Sequence, residues 1–168
     1  GAPEPAGLTA RVDPGRFRRA QGYELQVRPA EVRLLAADPA GLYYGVGTLR
    51  QLLRQAGPDG RLPCLWIQDE PALAVRGVML DVSRDRVPTM STLRRLLDLW
   101  AGLKYNQVQL YTEHTFAYPS HPEVWRDASP LTPAEVEELD RLCRERAMEL
   151  VPNQNSFGHM KPWLIHER

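Results

Sequence analysis

Three polar segments of the sequence carry residue types that suit the binding of a polar ligand. Asp81 and Arg84 follow a run of apolar residues, Glu113 and His114 follow a second run, and a polar, glycine-containing loop at residues 153–159 follows a third. Arginine presents a planar set of N–H donors and keeps its charge, and carboxylates accept hydrogen bonds. These residue types therefore favour a hydrogen-bonding site.

The apolar runs are predicted to be strands of a parallel sheet, because segments with helical periodicity separate them. Residues 75–82 are mostly apolar and β-branched without clean polar alternation, which predicts a strand buried on both faces. The carboxyl ends of parallel strands share one edge of a sheet, where ligands bind. The elements expected after that strand are a helix from Pro88-Thr89, a strand at 106–112, a helix from Thr132 to about Arg146 and a strand at 148–152.

The first 70 residues predict a different arrangement, a small α+β unit. Residues 1–19 are rich in Pro, Gly and Arg and are expected to be poorly ordered or an edge segment. Strands are predicted at 23–28, 32–36 and 62–67, the first two as an antiparallel pair. Asp38 is predicted to cap a helix that residues 57–60 end.

Composition gives little support for some classes of partner. The formal net charge is zero, so there is no electrostatic case for nucleic acid or an anionic membrane. No apolar run approaches the roughly 18 residues of a membrane helix, and the first residues show no signal-peptide pattern. The compartment stays open. Cys64 and Cys143 are expected to be two free, buried thiols, with a disulfide as the alternative.

The sequence offers little support for two other kinds of chemistry, a metal site and a catalytic Asp-Glu pair within this chain. His114 and His121 are seven residues apart, as are His159 and His166, and neither spacing is a standard zinc signature. The sequence predicts no metal and no cofactor. The only Asp-Glu dipeptide, Asp69-Glu70, precedes Pro71 and the first strand of the parallel series, so we expect a solvated turn there.

Several segments, in order along the chain, resemble the front part of glycoside hydrolase family 20, the β-N-acetylhexosaminidases. The resemblance covers about nine-tenths of the sequence. Its most specific stretches are Gly41–Leu53 in the leading unit, Arg76–Arg84 for the first barrel strand, Leu103–Asn106 with the strand that follows, and Glu149–Pro152 through Gly158-His159.

The resemblance implies a fold of the α/β class. Residues 1–71 would form the family's small α+β leading domain, and residues 72–168 the first three βα units of a TIM-type (β/α)8 catalytic barrel. A complete barrel takes roughly 250 residues, so the barrel here would be incomplete. Because the sequence ends without a stop-like tail, we expect a truncated fragment.

The implied activity is hydrolysis of terminal N-acetylglucosamine or N-acetylgalactosamine with retention of configuration. In this family the substrate's own acetamido oxygen attacks the anomeric carbon, an exception to the scheme of two protein carboxylates. An Asp orients the acetamido group and the adjacent Glu protonates the leaving oxygen. That pair follows the fourth barrel strand, beyond residue 168, so this chain by itself is expected to show little or no turnover.

The resemblance assigns five residues of the chain to substrate binding. Arg84 matches an arginine that grips sugar hydroxyls, with a surface salt bridge to Asp81 or Asp85 as the alternative. Glu113 and His114 match a pair that is usually two acidic residues, so His114 departs from the pattern. His159 matches a histidine that supports the acid/base region. Asn155 stands where an Asp often sits, which removes a charge that would orient a histidine.

Three aromatic residues, Tyr118, Trp125 and Trp163, could stack on apolar sugar faces, but core or loop packing explains each of them equally well.

Other hypotheses stay open at this point. The chain could instead be a carbohydrate-binding or structural module without hydrolytic activity, or part of a different barrel hydrolase. The hexosaminidase hypothesis predicts glycans with terminal N-acetylhexosamine as partners. It also predicts self-association through the unpaired edge that an incomplete barrel exposes.

Overall fold

The computed structural model of the protein describes residues 7–84 and 86–165. The chain divides into two compact units between Ala74 and Val75. Asp85 and His166, considered above as an ion-pair partner and a metal ligand, lie outside the described residues. The assignment of the two units to a leading domain and a catalytic barrel stays a prediction.

The first unit is a four-stranded mixed sheet with one long helix. Its elements are β1 (Gly7–Val12), β2 (Tyr23–Arg28), β3 (Glu31–Ala36), α1 (Pro39–Gln55) and β4 (Leu65–Asp69). The strand order is β1-β3-β2-β4, with β1 parallel to β3 and the other pairs antiparallel. The predicted antiparallel pair is confirmed. Strand β1 was not predicted, because all six of its residues are exposed and only long-range pairing with β3 defines it.

Helix α1 begins and ends where the sequence predicts. The side chain of Asp38 accepts a hydrogen bond from the backbone N–H of Gly41 at 2.8 Å, which satisfies a donor that the first helical turn leaves free. The helix packs very closely on the sheet at Gly45. A Cβ atom there would lie 2.4 Å from Cδ1 of Leu34, so only glycine fits without a shift of its neighbours.

The second unit is a three-stranded parallel sheet with helical crossovers. Its elements are β5 (Gly77–Asp81), α2 (Met90–Gly102), β6 (Gln107–Thr112), α3 (Pro122–Trp125), α4 (Pro133–Arg144), β7 (Glu149–Gln154) and α5 (Lys161–Leu164). The strand order is β5-β6-β7, and both pairings are parallel. The prediction of an α/β chain with a parallel sheet is confirmed. The short helices α3 and α5 were not predicted, because four residues are too few to show a helical period.

Side-chain caps fix the starts of both long helices in this unit. The hydroxyl of Thr89 accepts from the backbone of Thr92 before α2. Before α4, Thr132 and Glu135 form the reciprocal hydrogen bonds of a capping box. Helix α4 ends at Arg144, two residues before the predicted position. Within the described residues, none of the helices has the length and apolar character needed to cross a membrane.

The prediction that the first parallel strand is buried on both faces is wrong. Met79 in β5 is 58% exposed, whereas Val82, just after the strand, is fully buried. Alternate strand residues face opposite sides of a sheet. The buried residues Val108 and Leu110 of β6 share one side with Val78 and Leu80, with which they pair in register. The side that carries Met79 stays open in the described residues.

The two thiols are free, but only one of them is buried. Cys143 lies on the inner face of α4, where burial raises the pKa of its thiol to about 11, against a smaller opposing effect of Arg146. Cys64 is exposed, contrary to the expectation, because it lies in the loop before β4 and not within a strand.

Candidate functional site

The carboxyl edge of the parallel sheet gathers a set of polar side chains. In register, Tyr111 of β6 lies opposite Asp81 of β5 and Asn153 of β7, so the residues that follow the three strands meet at one edge. We call these side chains the carboxyl-edge cluster; its members are Asp81, Arg84, Tyr111, Glu113, Asn155 and His159.

Glu113 lies at the centre of the cluster and is only 6% exposed. Its Oε1 accepts hydrogen bonds from Nη1 of Arg84 and from the hydroxyl of Tyr111 at 2.9 Å. Nδ1 of His159 lies 3.6 Å from the same oxygen. Burial favours the neutral acid, but the hydrogen bonds from Arg84 and Tyr111 and the positive charges outweigh it. Together they hold the pKa of Glu113 below its usual value of 4.5, so the carboxylate is ionised near neutral pH.

Backbone hydrogen bonds hold Glu113 from both sides. Its N–H donates to Oγ of Ser83 at 2.8 Å, and that buried hydroxyl lies 3.2 Å from the hydroxyl of Thr115. The carbonyl oxygen of Glu113 accepts from Nε2 of Gln154 at 3.0 Å and from Nε1 of Trp163 at 2.8 Å. These contacts hold the backbone of residue 113, from which the carboxylate extends, even though the residue follows the end of β6.

Arg84 combines a fixed position with an accessible side chain. Its Nε lies 3.7 Å from Oδ2 of Asp81, and its guanidinium carbon lies 5.6 Å from the ring centroid of Tyr111, within cation–π range. Its hydrogen bond to Glu113, above all, raises the pKa of Arg84. The side chain is 51% exposed, so N–H groups remain accessible to a ligand. The salt bridge to Asp81, proposed as the alternative, exists alongside the contact with Glu113.

Asn155 and His159 shape the loop after β7. Oδ1 of Asn155 accepts from the backbone N–H groups of Phe157 at 3.3 Å and Gly158 at 3.2 Å. Its Nδ2 donates to the hydroxyl of Tyr111 at 2.6 Å. His159 has a left-handed backbone with φ of 55°, a conformation uncommon outside glycine, and its Nδ1 faces Oε1 of Glu113. The side chain of His159 is 60% exposed.

His114 lies outside this cluster. It lines a polar cavity of about 430 Å³ with Arg86 and Asp127, and a second cavity of about 260 Å³ that Asp127 also lines. Within the described residues, its Nδ1 is the buried side-chain atom without a hydrogen-bond partner. Of the five residues assigned to substrate binding, the structure therefore brings four together and places His114 elsewhere.

Tyr111, which contacts three other members of the cluster, was not predicted as a site residue. A signal for it existed: Tyr111 is two residues before Glu113, and alternate residues of a strand share a face. The contacts of Ser83, Gln154 and Trp163 with the Glu113 backbone were not predicted either, since they join distant parts of the chain.

The remaining sequence candidates have structural neighbours of their own. Asp69 ends β4 in the first unit, and Oε1 of Glu70 lies 3.9 Å from Nε of Arg19. The rings of Tyr118 and Trp163 pack edge to face with centroids 4.9 Å apart, and Nε1 of Trp125 donates to the carbonyl oxygen of Tyr118. These aromatic residues therefore pack on one another and on the backbone. The described residues contain no group of three or more side chains placed to hold a metal ion.

Comparisons with known proteins identify a matching family and relatives of this chain. The family described as "Glycosyl hydrolase family 20, domain 2" matches residues 2–70. A β-hexosaminidase of Akkermansia muciniphila is 30% identical over 156 residues, which cover 82% of this chain and 31% of that protein. A β-N-acetylhexosaminidase of Cellulomonas fimi is 30% identical over 156 residues, with coverage of 83% and 31%.

A solved structure of a relative extends this likeness to the fold of both units. A mutant Streptomyces plicatus β-hexosaminidase in complex with its product GlcNAc superposes with a TM-score of 0.74 at 32% identity, over 87% of this chain and 33% of that one. The chain belongs to glycoside hydrolase family 20. The resemblance that the sequence indicated is thereby confirmed. The chain spans about a third of the length of these family 20 relatives.

Proposed function

We propose that this chain is part of a retaining β-N-acetylhexosaminidase that removes terminal N-acetylglucosamine or N-acetylgalactosamine from glycans. The observation that carries the proposal is the likeness to β-hexosaminidases, in sequence and in structure, over more than four-fifths of the chain. The product GlcNAc in one of those related structures supports an N-acetylhexosamine as the substrate.

In this proposal residues 1–71 form the leading domain, and residues 72–168 form the first three βα units of a (β/α)8 barrel. The parallel order β5-β6-β7 supports the barrel assignment, as do its crossovers through α2 and α4. The position of the carboxyl-edge cluster also supports it, because barrel enzymes bind substrates at the carboxyl ends of their strands.

The cluster would hold the hydroxyl groups of the non-reducing sugar. The exposed N–H groups of Arg84 are donors, and the ionised carboxylate of Glu113 is an acceptor. Together they can donate to the oxygen of a sugar hydroxyl and accept from its O–H group. His159 and Asn155 would complete this side of the pocket. His114, assigned to the same pocket by resemblance, would act there only if a substrate reached the cavity that it lines.

The chemical step would use the substrate's own acetamido oxygen as nucleophile, with an Asp-Glu pair from a part of the full protein outside this chain. The only Asp-Glu dipeptide of the chain, Asp69-Glu70, lies in the first unit. This observation favours a second candidate function for the chain in isolation, namely sugar binding without hydrolysis.

The test is hydrolysis of a chromogenic N-acetyl-β-glucosaminide by this chain and by the full natural gene product that contains it. We expect turnover by the full gene product alone. If neither cleaves the substrate, the hexosaminidase proposal is wrong, and binding of N-acetylglucosamine by this chain would then support the sugar-binding function. Cleavage by the chain alone would show that the catalytic pair has been placed wrongly.

A further inference from the structure

Tyr111 connects parts of the carboxyl-edge cluster that come from all three strands. It lies on the central strand, its hydroxyl oxygen is 2.9 Å from Oε1 of Glu113 and 2.6 Å from Nδ2 of Asn155, and the guanidinium of Arg84 lies over its ring. The resemblance to family 20 assigned no role to this residue. Tyr111 therefore contacts both Arg84 and Glu113, the donor and the acceptor that are proposed to hold the sugar.

The direction of the hydrogen bonds through Tyr111 follows from the donors available. A phenol has one proton to donate, and an ionised carboxylate can only accept. The amide oxygen of Asn155 already accepts from the N–H groups of Phe157 and Gly158, which leaves its NH2 group facing Tyr111. Asn155 therefore donates to the phenol oxygen, and the phenol proton is directed to Glu113.

We propose that Tyr111 is a positioning residue whose hydroxyl, oriented by the amide of Asn155, holds the Glu113 carboxylate ready to accept a hydrogen bond from a sugar hydroxyl. The inference rests on the proposed function for the identity of the ligand. The contact between Tyr111 and Glu113 is a property of the chain itself and can be measured without any sugar.

The amide at position 155 is essential to this arrangement. An Asp there would present an acceptor to Tyr111, so its carboxylate and that of Glu113 would compete for one phenol proton. The neutral amide of Asn155 is therefore matched to the tyrosine on β6. We infer that Asn155 and Tyr111 work as a pair.

The charged groups around Glu113 are consistent with this role. Arg84 donates to it from the loop after β5, Oδ2 of Asp81 lies 3.7 Å from Nε of Arg84, and His159 approaches from the loop after β7. The Tyr111 hydroxyl is a neutral donor to the carboxylate oxygen that the charged Arg84 also contacts. Its hydrogen bond is one of the causes that keep the pKa of Glu113 low despite burial.

The experiment compares Tyr111→Phe and Asn155→Asp with the wild-type protein. Tyr111→Phe keeps the ring beneath Arg84 and removes only the hydroxyl. Tyr105→Phe is the matched control, because it makes the same change in a half-buried tyrosine just before the amino end of β6. The Glu113 carboxyl is titrated by carbon-13 NMR in this chain, and KM and kcat for the chromogenic glucosaminide are measured in the full gene product.

We expect the pKa of Glu113 to rise in both variants and to keep its wild-type value in the control. Loss of one hydrogen bond to a charged group should raise KM about ten-fold, with a smaller change in kcat, because the contact binds substrate and transition state alike. In the Tyr111→Phe background, Asn155→Asp should raise KM by less than it does alone, since the hydroxyl that it disorients is already absent.

An unchanged Glu113 titration in Tyr111→Phe overturns the inference, whether or not the full gene product is active. If Tyr111→Phe does not fold, a wild-type titration of Glu113 in Asn155→Asp overturns it equally. Should the titration shift as expected while the wild-type gene product cleaves no substrate, the proposed function fails and the role of Tyr111 in holding Glu113 stands.

Discussion

At the scale of single residues, Glu113 shows how competing effects decide the state of a site. Burial alone would favour the neutral acid, yet Arg84, Tyr111 and His159 surround one of its oxygens. Hydrogen bonds to the charged form outweigh the loss of solvation, and the pKa is lowered. The result is an ionised acceptor beside an arginine donor, which is the pairing that hydroxyl recognition needs.

The lowered pKa of Glu113 predicts a specific pH dependence of stability. A carboxylate whose folded pKa lies below its unfolded value stabilises the protein above the unfolded value, and this contribution is lost as the pH falls through the folded pKa. In urea titrations, the free energy of unfolding of the wild type should therefore exceed that of Glu113→Gln at pH 7. The difference should shrink as the pH falls below about 4.5.

Gln109→Asn is a suitable control for that series, because it is a neutral change on the same side of β6 and should keep the wild-type pH dependence. A difference between wild type and Glu113→Gln that stays constant across the acid range would contradict the ionised, hydrogen-bonded state assigned to Glu113.

At the scale of elements, close packing of α1 on its sheet depends on small residues at defined positions. Gly45 faces Leu34 and Tyr23, both in the buried core, whereas a Cβ atom at Gly47 would meet no heavy atom within 4 Å. Two glycines in the same helix therefore have different roles. One allows close approach to the sheet, and the other contributes only flexibility.

We expect alanine substitutions at these two positions to change stability in opposite directions. Gly45→Ala should lower the free energy of unfolding by about 1–3 kcal/mol, because the added methyl group overpacks the core. Gly47→Ala should raise it by about 0.5–1 kcal/mol, since alanine restricts the unfolded chain and favours the helix. Urea denaturation of the three proteins measures both effects. Equal changes in the two variants would contradict the packing assigned to Gly45.

At the scale of the whole molecule, the parallel sheet has two edges. In the described residues β5 and β7 each pair only with β6. β7 carries Pro152, which has no N–H to offer a further strand. β5 has no such proline and exposes Met79. The edge of β5 is therefore the better template for pairing with another strand.

We expect this chain in isolation to self-associate through the edge of β5, with a sedimentation coefficient that rises with protein concentration. Met79→Lys should weaken the association, because a charge on an edge strand opposes pairing. Leu103→Lys is the matched control, since Leu103 is about equally exposed but follows α2. A wild-type chain that sediments as a monomer at all concentrations would refute the expectation, as would equal effects of the two lysines.

The sequence by itself determined the order and type of the three long helices and of every strand except β1, because the signals for them are local. Hydrophobic period marks the strands and helices, and Asp38, Thr89 and Thr132 mark helix starts through hydrogen bonds to residues three positions away. The parallel order also follows, since crossovers of this length join parallel strands. Because the carboxyl ends of parallel strands share one edge of the sheet, the sequence also predicts that Arg84 and Glu113 lie at the same edge.

Only the tertiary structure decided which of these side chains meet, because such contacts join residues far apart in the chain. It joined Arg84 to Glu113 and placed Tyr111 between Glu113 and Asn155, while His114 was left to line a separate cavity. It also exposed one side of β5, which periodicity predicted to be buried. Burial and hydrogen-bond direction depend on what packs against a residue, and no local pattern records that.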